Sequence, residues 1–240
     1  SVDQDGCFTG DVFAHSGEFH ILYTSVNNDK GFTQTQSHAT SPDMITWQKL
    51  PHNPLAMSKP EGFAECWRDP CVWQEDDGWY MALGGEKPNE EGGVVFLYRS
   101  KDLKIWEYVG LLYESSAEKV KALSAKVQGF RFCECPDFFP LDGKHVILST
   151  HAPHTYWQLG DYKNHRLEPQ GFGIVDGGGF CSAKTLVDDK GRRISIGFLW
   201  SHWGWFSTPT PEQTAEGFAG VLSLPRELHV LPGNTLGIEP

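Results

Sequence analysis

The sequence predicts an all-β fold of the β-propeller type, on three observations. Asp43, Asp102 and Asp161 recur at equal intervals of 59 residues. Around the first two the match widens to Ser-x-Asp-x-x-x-Trp, as Ser41-Pro42-Asp43-Met44-Ile45-Thr46-Trp47 and Ser100-Lys101-Asp102-Leu103-Lys104-Ile105-Trp106. The third copy, Gly160-Asp161-Tyr162, keeps the aspartate without its Ser and Trp. Short apolar or alternating runs, each ended by turn residues, fill most of the remaining chain. A unit repeating at this length cannot bury its own apolar faces, so several copies of one small sheet must pack side by side. A sandwich has no reason to show so long a period.

The clearest strand runs are Phe19–Ser25, Gly78–Gly84, Gly93–Ser100, Lys144–Thr150 and Arg193–Trp200. Their first core residues, Phe19, Trp79, His145 and Ile194, follow one another at intervals of 60, 66 and 49 residues. Asp76-Asp77-Gly78, Asp142-Gly143-Lys144 and Asp188-Asp189-Lys190-Gly191-Arg192 lie between runs and are turns of the kind that join antiparallel strands. One segment reads as helix. Ser115 with Glu118 forms a capping box, and Val120, Leu123 and Val127 follow at helical spacing. Four units can be traced, and one more repeat before Asp43 would fall before residue 1. The expectation is therefore an incomplete propeller, with residues 1–240 forming a single domain.

Composition narrows the function. The chain carries 31 acidic against 20 basic side chains, a formal net charge of −11, with no basic stripe. That argues against nucleic acid or an anionic membrane as partner, and no apolar run is long enough for a membrane span. Nine Trp, seven Tyr and 15 Phe suit packed sheets, and they also suit sugar clefts, where a flat apolar ring face needs a flat partner. The six cysteines form no Cys-x-x-Cys pair, which argues against a zinc site and fits free thiols in a reducing compartment. With no Asn-x-Ser/Thr sequon, the reading leans to a bacterial cytoplasm, and a secreted protein stays open.

Two motifs interrupt apolar surroundings with charge. In Glu65-Cys66-Trp67-Arg68-Asp69-Pro70-Cys71-Val72-Trp73 an Arg-Asp pair stands at the start of a buried strand, where charge is costly unless partners or a ligand satisfy it. In Phe130-Arg131-Phe132-Cys133-Glu134-Cys135-Pro136-Asp137 the glutamate lies among rings and thiols, surroundings that raise a carboxyl pKa as a general acid requires. Taken alone, the first motif fits a structural ion pair equally well, and the second fits a strand-end hydrogen bond slightly better. Together they are 65 residues apart, close to one repeat. Equivalent positions on neighbouring blades face one channel, so Asp69 and Glu134 are expected to converge on a single ligand.

Phe8-Thr9-Gly10, Trp67-Arg68-Asp69-Pro70, Glu134-Cys135-Pro136-Asp137, Gly191-Arg192-Arg193-Ile194 and Leu224-Pro225-Arg226-Glu227-Leu228 occur in the order and spacing of glycoside hydrolase family 32. That family holds the invertase, inulinase and levanase group of β-fructofuranosidases, and the chain resembles it over essentially its whole length. The resemblance implies hydrolysis of terminal β-fructofuranosyl units in sucrose or fructans by a retaining double displacement, with no metal and no cofactor. It assigns Glu134 as general acid/base and Asp69 as the carboxylate that binds fructosyl hydroxyls and stabilises the transition state. Arg68 would orient both, and Phe8 and Thr9 would line the fructose pocket, with Thr in place of the family's Ser. Trp200 or Trp203 is matched to the pocket's aromatic wall, although core packing accounts for both more simply.

Two departures bear on activity. The family's nucleophilic aspartate lies in an Asn-Asp-Pro motif in the first blade, ahead of Asp5-Gly6-Cys7-Phe8, and nothing in residues 1–240 matches it; the resemblance therefore implies a five-bladed β-propeller whose first blade is missing from these residues. The family's C-terminal β-sandwich has no counterpart either. The 240-residue chain by itself is thus expected to be inactive. The alternatives are a fructoside-binding pseudoenzyme without a nucleophile and another propeller glycosidase, such as one acting on arabinan. Oligomeric state and the preferred fructoside are not readable from these residues.

Overall fold

The computed structural model describes residues 1–30, 33–63, 66–88, 92–115, 133–151, 154–199, 211–218 and 220–240. These residues form four antiparallel sheets in a β-propeller arrangement. Blade one contains β1 (Gly6–His15), β2 (Glu18–Asn27), β3 (Thr33–Ser41) and β4 (Gln48–Lys49). Blade two contains β5 (Trp67–Glu75), β6 (Gly78–Glu86), β7 (Gly93–Ser100) and β8 (Glu107–Glu114). Blade three runs β9 (Glu134–Leu141), β10 (Lys144–His151), β11 (His154–Lys163) and β12 (Arg166–Ile174). Blade four has β13 (Phe180–Val187), β14 (Arg193–Leu199), β16 (Arg226–Leu231) and β17 (Thr235–Glu239) in order, with the short β15 (Val221–Leu222) also paired to β14. The first strand of each blade is the inner one: β1 packs on β5, β5 on β9 and β9 on β13. A short helix, Pro211–Glu216, follows β14. No described helix is long and apolar enough to cross a membrane.

Blade packing explains the continuous apolar runs. Side chains alternate across a strand, and a blade between two others buries both faces. In blade two, Trp79, Met81, Leu83, Val94, Phe96 and Tyr98 turn toward blade one and form a core with Leu22 and Leu55. Their sequence neighbours Tyr80, Ala82, Val95 and Leu97 turn the other way, onto Phe138, Ile147 and Tyr156 of blade three. On β10 the alternation continues: Val146 and Leu148 join Phe180, Ala183 and Leu228 of blade four. Each large side chain buried in this way contributes about 1.5–3 kcal/mol.

The expected repeat holds for the strands. Phe19, Trp79, His145 and Ile194 are each the second residue of the second strand of a blade. Only Trp79 is buried; the other three are half-buried. The turns at Asp76-Asp77, Asp142-Gly143 and Asp188–Arg192 close the first hairpins of blades two, three and four.

The Ser-x-Asp motif builds one turn twice. Oδ1 of Asp43 accepts from the amides of Ile45 (2.9 Å) and Thr46 (2.8 Å), and Oδ1 of Asp102 accepts from Lys104 (2.9 Å) and Ile105 (3.0 Å). Met44 and Leu103 take positive φ, at 60° and 63°. Trp47 and Trp106 each donate the indole N–H to the residue three before, Met44 O at 3.2 Å and Leu103 O at 3.3 Å.

The two turns differ in burial: Trp106 is buried, at 3% exposed, whereas Trp47 is only half-buried. Residues 55–57, leaving blade one, cross over Trp106, whose amide donates to Ala56 O (2.9 Å); among the described residues no equivalent strap covers Trp47. The third aspartate is not a third copy of the turn. Asp161 lies inside β11, paired with Lys144 (2.8 Å) and Lys163 (2.9 Å), and the β11–β12 hairpin is closed tightly by Asn164 and His165 at φ 51° and 60°. The expected helix after Ser115 falls on residues outside those described. Ser115 itself bonds Gly93 across the blade edge, accepting from its amide at 2.8 Å and donating to its carbonyl at 3.0 Å.

Candidate active site

All four inner strands carry a β-bulge at the same level. The register slips between Cys7 and Gly10 on β1 and between Arg68 and Cys71 on β5. It slips again opposite Leu148 to Thr150 on β9, and between Cys181 and Lys184 on β13. A bulge leaves residues out of the ladder and re-aims their side chains. Asp69, Cys135 and Ser182, the first extra residues of the last three bulges, have φ of 65°, 47° and 52°. Left-handed backbone costs a non-glycine residue about 1–2 kcal/mol, so neighbouring groups must hold these positions.

The preceding blade does so. The Asp69 amide donates to Thr24 Oγ1 of blade one (2.8 Å), and the Ser182 amide donates to Thr150 Oγ1 of blade three (2.8 Å). The Cys135 amide donates to Oδ2 of Asp69 itself (2.9 Å). Thr24 belongs to a closed circuit: its hydroxyl donates to Gln36 Oε1 (2.7 Å), and Gln36 Nε2 donates to the carbonyl of Trp67 (3.0 Å). Blade one thus grips the peptide on both sides of Arg68. Gly84, opposite Arg68, lets the chain entering β9 pass close, because a Cβ there would stand 2.0 Å from the Cys133 carbonyl oxygen.

These bulges bring Arg68, Asp69 and Glu134 together. The Arg68 guanidinium donates through Nη2 to Oε1 of Glu134 in a short contact, and Nε lies 3.6 Å from Oδ2 of Asp69. The side chains are nearly enclosed: 16% exposed for Arg68, 4% for Asp69 and 11% for Glu134. Burial raises the Glu134 carboxyl pKa above its ordinary value; Arg68 opposes the rise, and the nearby Asp69 adds to it. Burial raises that of Asp69 too, against Arg68, the Cys135 amide and Lys184. One guanidinium thus serves two carboxyls, and the more exposed of the two has a pKa moved toward neutrality. That environment suits a proton donor.

Asp69 and Glu134 lie at one guanidinium, and their equivalence is shifted by one residue. The register aligns Arg68 with Glu134 and Asp69 with Cys135. The ion pair therefore joins two equivalent positions on adjacent blades, and Asp69 caps its own counterpart. Thr9 reaches the same place, with Oγ1 3.4 Å from Cys135 Sγ, which in turn lies 3.6 Å from Asp69 Oδ2. Phe8, in the β1 bulge, is 39% exposed. Trp200 and Trp203 lie outside the described residues.

Sequence reasoning passed over several participants. Thr24 and Gln36 sit in strands that read as ordinary, and a threonine in a strand carries no signal of the amide it will cap. Asp11, Asp137 and Lys184 lie beneath the carboxyls; Asp137 was visible in the Glu-Cys-Pro-Asp motif, and Lys184 as a cation interrupting Phe180-Cys181-Ser182-Ala183. Asp11 accepts from the Val72 amide (2.7 Å), linking blades one and two. All six cysteines are free thiols, five of them buried, and burial pushes Cys66 and Cys133 up to about 12. Those two thiols stay neutral at ordinary pH and act as packing groups. Among the described residues no three His, Cys, Asp or Glu side chains are grouped to hold a metal.

The structure defines an all-β propeller with two carboxyls and an arginine gathered at its inner bulges, and comparison with known proteins places it in a family. The family model for the glycosyl hydrolases family 32 N-terminal domain matches residues 1–240, and the chain belongs to that family. It is 30% identical to a sucrose-6-phosphate hydrolase of Escherichia coli over 98% of this chain and 49% of the relative. It is 29% identical to a raffinose invertase of the same species over 94% and 48%. Among solved structures, a Bombyx mori GH32 β-fructofuranosidase superposes with a TM-score of 0.80 at 27% identity, over 100% of this chain and 51% of that one. Fructan 1-exohydrolase IIa from Cichorium intybus, in complex with 1-kestose, gives 0.81 at 26%, over 100% and 48%. The chain spans about half the length of the curated relatives it matches.

Proposed function

We propose that the protein carrying this domain is a retaining glycoside hydrolase acting on terminal β-fructofuranosyl units of sucrose or fructans. The observation that carries the reading is Arg68 between Asp69 and Glu134, in a domain of family 32. Glu134 is the general acid/base: its raised pKa keeps a proton available for the leaving oxygen, and after departure the same carboxylate activates water. Asp69, buried and fixed by the Cys135 amide, holds fructosyl hydroxyls and stabilises positive charge developing on the ring. Arg68 holds both carboxyls in place, and Phe8 and Thr9 line the pocket mouth. Residues 1–240 supply four blades of the propeller domain.

The nucleophile of the double displacement comes, on this reading, from a fifth blade outside residues 1–240. The support is the ring itself: each inner strand packs on the next from β1 to β13, and β13 and β1 share no comparable packing. Related proteins carry names that fit a fructoside substrate, namely sucrose-6-phosphate hydrolase, raffinose invertase and a fructan exohydrolase bound to 1-kestose. The test is fructose release from sucrose and from inulin by the whole protein and by its Glu134→Gln variant. Release by the parent that collapses in the variant supports the reading. Fructose binding without any release by the parent overturns it in favour of a fructoside-binding protein.

A further inference from the structure

Lys184 stands on β13 in blade four, yet its ammonium reaches the two strands that carry the carboxyls. Nζ lies 2.9 Å from the carbonyl oxygen of Pro136 and 3.5 Å from that of Pro70, and 3.7 Å from Oδ1 of Asp137. Pro70 follows Asp69, and Pro136 follows Cys135, so both carbonyls belong to the second residue of a bulge. A bulge takes such groups out of the ladder, and a buried carbonyl needs a donor from elsewhere. An ammonium has three N–H donors in a compact head, and three acceptors from blades two and three surround this one.

We propose that Lys184 is a positioning residue of the carboxylate centre: its ammonium ties the bulges of blades two and three together and fixes where Asp69 and Glu134 stand relative to one another. This rests on the reading that Asp69 and Glu134 are working carboxyls. Both carboxyls must stand in the productive geometry for their separate roles, and a misplacement of about 1 Å can cost roughly 10²-fold in rate. No other described side chain donates to both bulge carbonyls. Its charge acts in the same direction, since Lys184 is among the groups that favour ionised Asp69 against burial. Burial works against the ammonium itself, but Cys71, Asp137, Asp11 and Cys135 around it more than offset that and raise its pKa. Arg193 of β14 faces the same Asp137, Cys71 and Asp11, so two cations meet two carboxylates beneath the site.

The experiment compares Lys184→Met, which keeps the unbranched stem and removes the donors, with Lys184→Met/Asp137→Asn, which leaves no unpaired aspartate behind. Both are made in the whole protein with sucrose as substrate. A fall in kcat of about 10- to 100-fold is expected in both, with KM changed far less. The acid limb of kcat/KM should move to higher pH, because Asp69 ionises less readily without the cation, and Lys184→Arg should recover part of the rate. A folded double variant with kcat within about twofold of the parent and an unmoved acid limb overturns the proposal. A rate loss that only tracks the loss of folded protein, with an unchanged pH profile, overturns it as well. A parent that releases no fructose defeats the reading beneath the proposal instead. In that event the Asp69 carboxyl is titrated by carbon-13 NMR, where a rise in the double variant supports the tie and an equal midpoint overturns it.

Discussion

At the outer edge of blades one and two, Asp43 and Asp102 build the same turn with the same Ser, Asp and Trp. At the inner strands, Phe8, Asp69, Cys135 and Ser182 occupy the same bulge position with four different chemistries. The outer turn repeats because its side chain makes its backbone: the aspartate caps two amides of its own loop, and any copy needs the same residue. The inner bulge repeats because the blades hold it from outside, through Thr24, Asp69 and Thr150. Its own side chain is therefore free to vary. A propeller concentrates chemistry where the backbone repeats and the residue need not.

The comparison can be broken at the inner ring first. Glu134→Gln should lower kcat by about 10²–10⁴-fold, since the leaving oxygen loses its proton donor while the Arg68 contact keeps a neutral partner. Substrates whose leaving group is acidic should lose less. Steady-state rates on sucrose and on an activated aryl fructoside measure both. Equal losses on the two would show that Glu134 acts through structure rather than as an acid.

At the outer edge, the two turns predict unequal costs for the same change. Trp106→Ala should destabilise by about 3–5 kcal/mol, as truncation of a fully buried aromatic does. Trp47→Ala, at the equivalent but half-buried place, should cost clearly less. Urea midpoints of the two variants decide it, and equal shifts would mean that Trp47 is covered as well as Trp106.

Blade one also contains a histidine pair that separates it from the others. His20 Nδ1 and His38 Nε2 are 2.9 Å apart, and burial, with His20, His52 and Lys104 nearby, pulls His38 down to about 4. The folded pKa lies below the unfolded one near 6.5, so below that pH the unfolded state takes the proton first. Stability is full above about pH 6.5 and falls progressively toward pH 4, by about 3 kcal/mol in total. Denaturant midpoints at pH 7 and pH 4.5 should show the drop, and His38→Gln should flatten it. The smallest effect is expected at Thr24→Val, which leaves the Asp69 amide without its acceptor for about 1–3 kcal/mol. A larger rise in KM than fall in kcat there would place the damage in substrate binding.

Much of the fold was legible because strands and turns are written locally. Alternation on Tyr80-Met81-Ala82-Leu83, and Asp-Gly turns at fixed offsets, encode a blade wherever they occur. Asp69 and Glu134 were legible because a charge among Trp, Phe and Cys is conspicuous in one dimension. Three things were not. The Asp161 interval matches the others in sequence, yet only the β11 register shows that it is a mid-strand residue. The equivalence of Arg68 with Glu134 depends on bulges, which add a residue without a mark in the sequence. The reach of Lys184 to Pro70 and Pro136 depends on how blade four leans toward two others, over sequence separations of 114 and 48 residues. Periodicity and composition act within a strand, so the sequence by itself determined the blades and the charged motifs. Which side chain meets which across the centre is set by the packing of blade on blade, and only the tertiary structure decided it.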